Sequence, residues 1–287
     1  MKLSINANYL RKALGGVKRT PEECVKLAYE AGFRVIDYSP EYLADSWERE
    51  AHAVRAAADK YGVKIEQTHA PMNRYSRVPH DEFLPFHDRC VEAAKIMGCD
   101  HIVFHADEYF MPECGPYDPV LALKESCEVI APHVEKSIKY GINIGIENVF
   151  EDGYRCPANC RSRCCSTVEE LIAAIDYFAD PHVGCCWDFG HARVAFGQVG
   201  MTEALKTLGS RVICTHTHDN HGADAHQPPY HGDVDWTAQM KTMRDFGYKG
   251  NLTFEMVYGT MPDELLPEFL MGLIHTGEHM LKIFNEK

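Results

Sequence analysis

Short apolar runs alternate with helix-like segments along this chain, and that alternation constrains its fold more than any other feature. Eight runs read as strands, at 2–6 (KLSIN), 33–38 (FRVIDY), 63–69 (VKIEQTH), 101–105 (HIVFH), 142–148 (INIGIEN), 183–188 (VGCCWD), 211–218 (RVICTHTH) and 250–256 (GNLTFEM). Each is rich in Val, Ile, Leu or Phe without clean alternation, as strands covered on both faces of a parallel sheet should be. Helix signals lie between them. Thr20, Pro21 and Glu23 form a capping box with Pro at the first helical position, and Gly32 closes that helix. Ser166 with Glu169, or Thr167 with Glu170, opens another over LIAAIDYF. In the last helix Leu266, Phe269, Leu270, Leu273, Leu281 and Phe284 form an apolar stripe, with Pro267 in the first turn. Eight strand–helix units in 287 residues, with no linker between them, predict an α/β chain folded as one (β/α)8 TIM barrel over residues 1–287. A doubly wound open sheet is the alternative, but no G-x-G-x-x-G opens any helix.

In such a barrel the active site forms at the C-terminal ends of the strands. From the second strand onward those ends carry Asp37, His69, His105, Glu147, Asp188, His216 and Glu255, all of them metal-ligand or acid/base types. Converging, they would ring one axial cavity. DFGH puts His191 three residues after Asp188, and HTHD places His216 and His218 on one strand face with Asp219 starting a loop. That loop is too long for an ordinary connection, and the active-site loops are expected at about 150–165 and 219–235. His221 and His231 read as solvated loop residues, while Asp224 and His226, spaced D-x-H, stand between site contact and surface.

Composition narrows the partners. Lys and Arg number 29 against 42 Asp and Glu, a net charge of −13 that repels a phosphate backbone, so no nucleic-acid partner is expected. No run approaches a membrane span and the first residues lack a signal-peptide core, so no membrane partner and a cytoplasmic location are expected. The 12 Cys then read as reduced thiols. Cys156, Cys160, Cys164 and Cys165 follow no standard metal-binding spacing and suit a loop covering the substrate, and adjacent Cys185 and Cys186 read as buried strand residues pointing to opposite faces. A homo-oligomer is left open.

Glu147-Asn148, WDFGHA around Asp188, HTHDN from His216, HGDVDW at 231–236 and FEM around Glu255 resemble the xylose isomerase-like TIM-barrel superfamily of sugar phosphate isomerases and epimerases. The resemblance implies that Glu147, Asp188, His216 and Glu255 bind one divalent cation, Mn²⁺ first, with Co²⁺, Mg²⁺ or Zn²⁺ as alternatives. It implies substrate contact for His191. Endonuclease IV belongs to the same superfamily, and its further metal ligands have counterparts in His69, His105, His191, Asp224 and His226. These five are assigned here to substrate binding, with a second metal left open. The expected activity is isomerisation or epimerisation of an unphosphorylated sugar, ketose, inosose or similar polyhydroxy carbonyl compound. Glu147 and Glu255 would move the proton through an enediolate. A lyase or dehydratase, an endonuclease IV-like phosphodiesterase and a non-catalytic partner subunit are the alternatives. The substrate is expected to lack phosphate because no Lys or Arg occurs between Val212 and Met240 or between Leu252 and Leu281. Arg155, Arg161, Arg163 and Arg193 are the only nearby cations.

Overall fold

Local signals set where the helices begin. Thr20 accepts the Glu23 N–H, the Glu23 carboxylate accepts the Thr20 N–H, and α1 (Pro21–Ala31) ends at Gly32 with a left-handed φ of +112°. Of the two candidates for the fifth helix, Thr167 caps α5 (Val168–Phe178) by accepting the Glu170 N–H. Ser166 is diverted, its hydroxyl lying within hydrogen-bond distance of Glu151 and of the Arg163 carbonyl.

The structure is a computed structural model that describes residues 1–11, 18–73, 80–106, 117–151, 163–257 and 261–286. The strands are β1 (Leu3–Asn6), β2 (Val35–Asp37), β3 (Lys64–His69), β4 (His101–Phe104), β5 (Asn143–Glu147), β6 (Val183–Asp188), β7 (Val212–His216) and β8 (Leu252–Phe254). Between and after them run α2 (Trp47–Tyr61), α3 (His80–Met97), α4 (Pro119–Lys139), α6 (Phe189–Leu208), α7 (Trp236–Asp245) and α8 (Leu266–Asn285). The strands pair in parallel in the order β7-β6-β5-β4-β3-β2-β1-β8. β7 and β8 then meet through a parallel bridge of Thr217 with Phe254, and the Thr217 N–H reaches the Thr253 carbonyl at 2.7 Å. The result is a nearly closed, single-domain TIM barrel. No helix among the described residues is long and apolar enough to cross a membrane.

Several strands are shorter than the apolar runs that announced them, β8 keeping three residues of the run 250–256. An apolar run reports burial, whereas a ladder also needs a partner in register, so His105 and Glu255 sit one residue past their strands. Between Ile36 and Asp37 the register slips, pairing Asp37 with Gln67 and leaving Glu66 as an extra residue on β3. The main core lies between strands and helices. There Leu266, Leu270 and Leu273 of α8 are buried, with Phe269, Leu281 and Phe284 packed against them. Cys185 joins that core, while Cys186 packs with Val103 and Cys214 in a separate small cluster. The adjacent cysteines therefore do point to opposite faces.

Candidate metal centre

The backbone fixes the ring's members from two directions. Asp188 ends β6 and also caps α6, its Oδ1 accepting the His191 N–H at 2.7 Å, while its Oδ2 lies 3.1 Å from His218 Nε2 and 3.8 Å from His216 Nδ1. Asn148 locks that corner reciprocally: its Nδ2 donates to the Asp188 carbonyl at 2.9 Å and its Oδ1 accepts the Asp188 N–H at 2.8 Å. Gly190 is required between them, since a Cβ there would lie 1.8 Å from the His218 ring. His216 is fully buried, and its Nδ1 lies 3.1 Å from Glu147, 3.5 Å from Glu255 and 3.8 Å from Asp188. The four residues expected around one cation thus converge, with neither ring nitrogen of His216 in a hydrogen bond.

The other five predicted site residues join them. His69 Nε2 and His105 Nε2 lie 3.1 and 3.0 Å from Glu147 Oε2. His191 Nδ1 is 3.1 Å from Glu147 Oε1, and its Nε2 is 3.7 Å from Asp224. His226 Nε2 is 3.4 Å from Asp224. Three of these imidazoles share one arrangement. His69, His191 and His226 each donate Nδ1–H to a backbone carbonyl, of Ala70, Asn148 and Glu255 at 2.7, 3.0 and 2.9 Å. Nε2 is left toward a carboxylate, the orientation by which histidines are set to hold a cation.

The loop after β7 is folded back over the site. Asp219 and Gln227 exchange backbone hydrogen bonds of 2.7 and 3.0 Å, which returns Asp224 and His226 to the axis. His226 holds a left-handed φ of +45°, a strain offset by its bond to Glu255 and by stacking on His218 at 4.0 Å. Asp219 itself is structural. It accepts the N–H groups of Tyr230 and Val234 and the Trp236 indole. His221 and His231 are exposed, as solvated loop residues should be.

A Lys or Arg partner is what the centre's carboxylates lack. Among the described ion pairs, Glu147, Asp188, Asp224 and Glu255 meet only imidazoles. Burial alone would raise the Glu147 carboxyl, but His216 and then His105 outweigh it and hold it well below the usual carboxylate range. Burial would lower His216, yet Glu255 and Glu147 push it well above its ordinary value. Three buried carboxylates, Glu147, Asp188 and Glu255, with imidazoles and, among the described residues, no Lys or Arg form a donor set that fits a divalent cation. Ligand atoms of Asp188, His216 and Glu255 lie within 4.8 Å of one another, as do those of His69, His105 and Glu147, and those of His218, Asp224 and His226.

Two residues escaped the sequence reading. Asn6 ends β1 and donates to Glu255 Oε1 at 3.2 Å, so extending the strand-end argument to the first strand would have found it. Tyr9, in a short 3-10 helix (Ala7–Arg11), had no such signal. The Glu255 charge, then burial, pushes its hydroxyl far above the usual range. Among the proposed cations, Arg193 is held bidentately by Asp233 at 2.6 and 2.9 Å, and Arg163 donates to the Phe150 carbonyl. Cys164 and Cys165 are buried with sulfurs 3.8 Å apart. Cys156, Cys160, Arg155 and Arg161 lie outside the described residues.

A family model described as a xylose isomerase-like TIM barrel matches residues 25–271. The chain belongs to that family. It is 25% identical over 265 residues to the uncharacterized protein y4fM of Sinorhizobium fredii (strain NBRC 101917 / NGR234), covering 80% of this chain and 78% of that one. Its fold matches a D-psicose 3-epimerase from Clostridium cellulolyticum H10 with a TM-score of 0.77 at 14% identity, over 98% of this chain and 99% of the other. A 3-keto-D-glucoside 4-epimerase from E. coli matches at 0.72 and 16% identity, over 96% and 99%.

Proposed function

We propose that the chain is a divalent-metal-dependent isomerase or epimerase of an unphosphorylated polyhydroxy carbonyl compound. The observation that carries this reading is the buried His216 nitrogen facing Glu147, Asp188 and Glu255 with no Lys or Arg among them. Sugar epimerases among the fold's neighbours support it. Mn²⁺ suits the carboxylate-rich set, and the remaining imidazoles with Glu147 and Asp224 have ligands to spare for a second ion. A bound cation supplies Lewis acidity toward a carbonyl oxygen. The protein's own groups do the rest.

Glu255 and Glu147 come from strands on different sides of the axis, so one can take the carbon-bound proton and the other return it. Their surroundings differ. Both Glu147 oxygens meet imidazoles, whereas Glu255 Oε1 takes one amide and Oε2 is 3.5 Å from His216. Glu255 is therefore the less engaged carboxylate, placed to meet the substrate, and Glu147 the group whose charge organises the ring. His191, positioned by Asn148 and Asp188, can hold the oxygen where charge develops. With Arg193 bound to Asp233, no described cation of the β6 or β7 loops is left for a phosphate. Elemental analysis and a screen of free ketoses and inososes in D2O test the reading. Solvent deuterium should enter the product at the altered carbon, and Glu255→Gln should lose that exchange more completely than Glu147→Gln. Turnover with no solvent deuterium would point to hydride transfer and leave both glutamates as ligands alone. A dehydrated or cleaved product would move the activity to the lyases.

A further inference from the structure

The cavity above the ring extends past the imidazoles and carboxylates onto an apolar wall. Its volume is about 690 Å³, within the range of about 300–1,000 Å³ of sites that take drug-sized ligands. One side is the ring of imidazoles and carboxylates. The other is made by the segments after β1, β2 and β3, where Tyr9, Pro40, Tyr42, Leu43, Ala70 and Met72 line it. The Tyr42 hydroxyl is taken up by Thr68 at 2.5 Å, which leaves its ring as the contribution to the wall. Leu43 is 60% exposed, an apolar side chain open to a cavity continuous with the candidate metal centre.

Among the described residues, charge on this side is already matched. Arg11 is the only Lys or Arg among the described lining residues, and its guanidinium meets the Tyr38 hydroxyl, the Ser39 carbonyl and the Glu50 carboxylate. Glu41 is paired with Lys18 at 2.6 Å. Among the described residues a charged substituent would find no unmatched partner here, whereas an apolar one would cover Leu43 and Met72.

We infer that this wall is a second subsite, and that the substrate is a polyhydroxy carbonyl unit bearing a neutral alkyl or aryl substituent that lies against Leu43 and Met72. The inference rests on the sugar reading of the ring and adds the substituent to it. A single methylene in an apolar pocket is worth about ten- to 200-fold in discrimination, so an aryl group should exceed the lower figure.

The metal-loaded protein can be titrated by calorimetry with methyl and phenyl 3-keto-D-glucosides. The phenyl compound should bind at least tenfold more tightly, and Leu43→Asp should erase that preference while leaving the methyl compound's affinity within about twofold. Equal affinities in the wild type, or a phenyl preference that survives both Leu43→Asp and Met72→Ala, would overturn the subsite. Ligand-observed NMR with benzyl alcohol separates this from the sugar reading. The fragment should bind the wild type and Asp188→Asn but not Leu43→Asp, and that pattern supports the subsite even if no sugar binds. No binding of the fragment to the wild type would overturn the subsite and leave the sugar reading standing.

Discussion

At the C-terminal ends of the strands burial should lower every histidine, yet His191 and His216 are pushed well above their ordinary value and His226 to about 9. At the opposite end of the barrel burial pushes His101 down to about 4. The difference lies in the carboxylates. His191 faces Asp188 and, with His226, Asp224, and His216 faces Glu255 and Glu147, none of which pairs with Lys or Arg among the described ion pairs. The carboxylate that raises His101 is Asp100, which is already paired with Lys64. The lower end also has a cavity, of about 460 Å³, lined by Glu66, His101 and Asn143 among others. Glu66 there accepts the Asn251 amide, and burial raises its carboxyl. Polar burial alone therefore does not make a cation site. The candidate metal centre differs in its unbalanced negative charge around aimed imidazoles.

The sharpest way to break that comparison is to remove one carboxylate. Asp188→Asn keeps an equally good helix cap and should leave the barrel folded by circular dichroism. It should lose bound metal by elemental analysis and lower turnover about 10³-fold or more, roughly 4 kcal/mol. His101→Gln at the lower end should change turnover less than about twofold.

Acid sharpens the contrast next. His101 is depressed in the folded state, so its contribution to stability is complete above the unfolded value of about 6.5 and is lost as pH falls through about 4. The loss amounts to about 3 kcal/mol at most. Urea unfolding at pH 7 and pH 4.5 should show a smaller pH effect in His101→Gln than in the wild type. Equal pH effects would mean that His101 is not held neutral.

A paired glycine test is expected to be smaller. A Cβ at Gly190 would meet His218, and one at Gly250 would lie 2.3 Å from the Tyr248 hydroxyl and 2.6 Å from the Ile213 carbonyl. Gly190→Ala and Gly250→Ala should each cost about 1–3 kcal/mol in unfolding, but only Gly190→Ala should also lower turnover. The smallest effect concerns the substrate. A free ketose should exceed its terminal phosphate ester in kcat/KM, and a tenfold preference for the ester, about 1.4 kcal/mol, would refute the unphosphorylated reading.

Period and chemistry along the chain determined the barrel, because eight apolar runs between helix signals leave few other ways to bury them. They also determined the ring of seven strand-end residues from Asp37 to Glu255, because strand ends in a barrel share one rim, whereas the family resemblance was needed to single out Glu147, Asp188, His216 and Glu255 among them. The loop residues were different. Asp219 and Asp224 are both acidic in one histidine-rich segment, and composition gives no reason to separate them. Tertiary structure alone made Asp219 a bracket for Tyr230, Val234 and Trp236 and turned Asp224 onto His191 and His226. Tyr9, the Arg193–Asp233 pair and the apolar wall at Leu43 were likewise decided there. Strand periodicity fixes a side chain's face by local geometry, whereas a loop's direction depends on distant backbone partners such as the Asp219–Gln227 bridge.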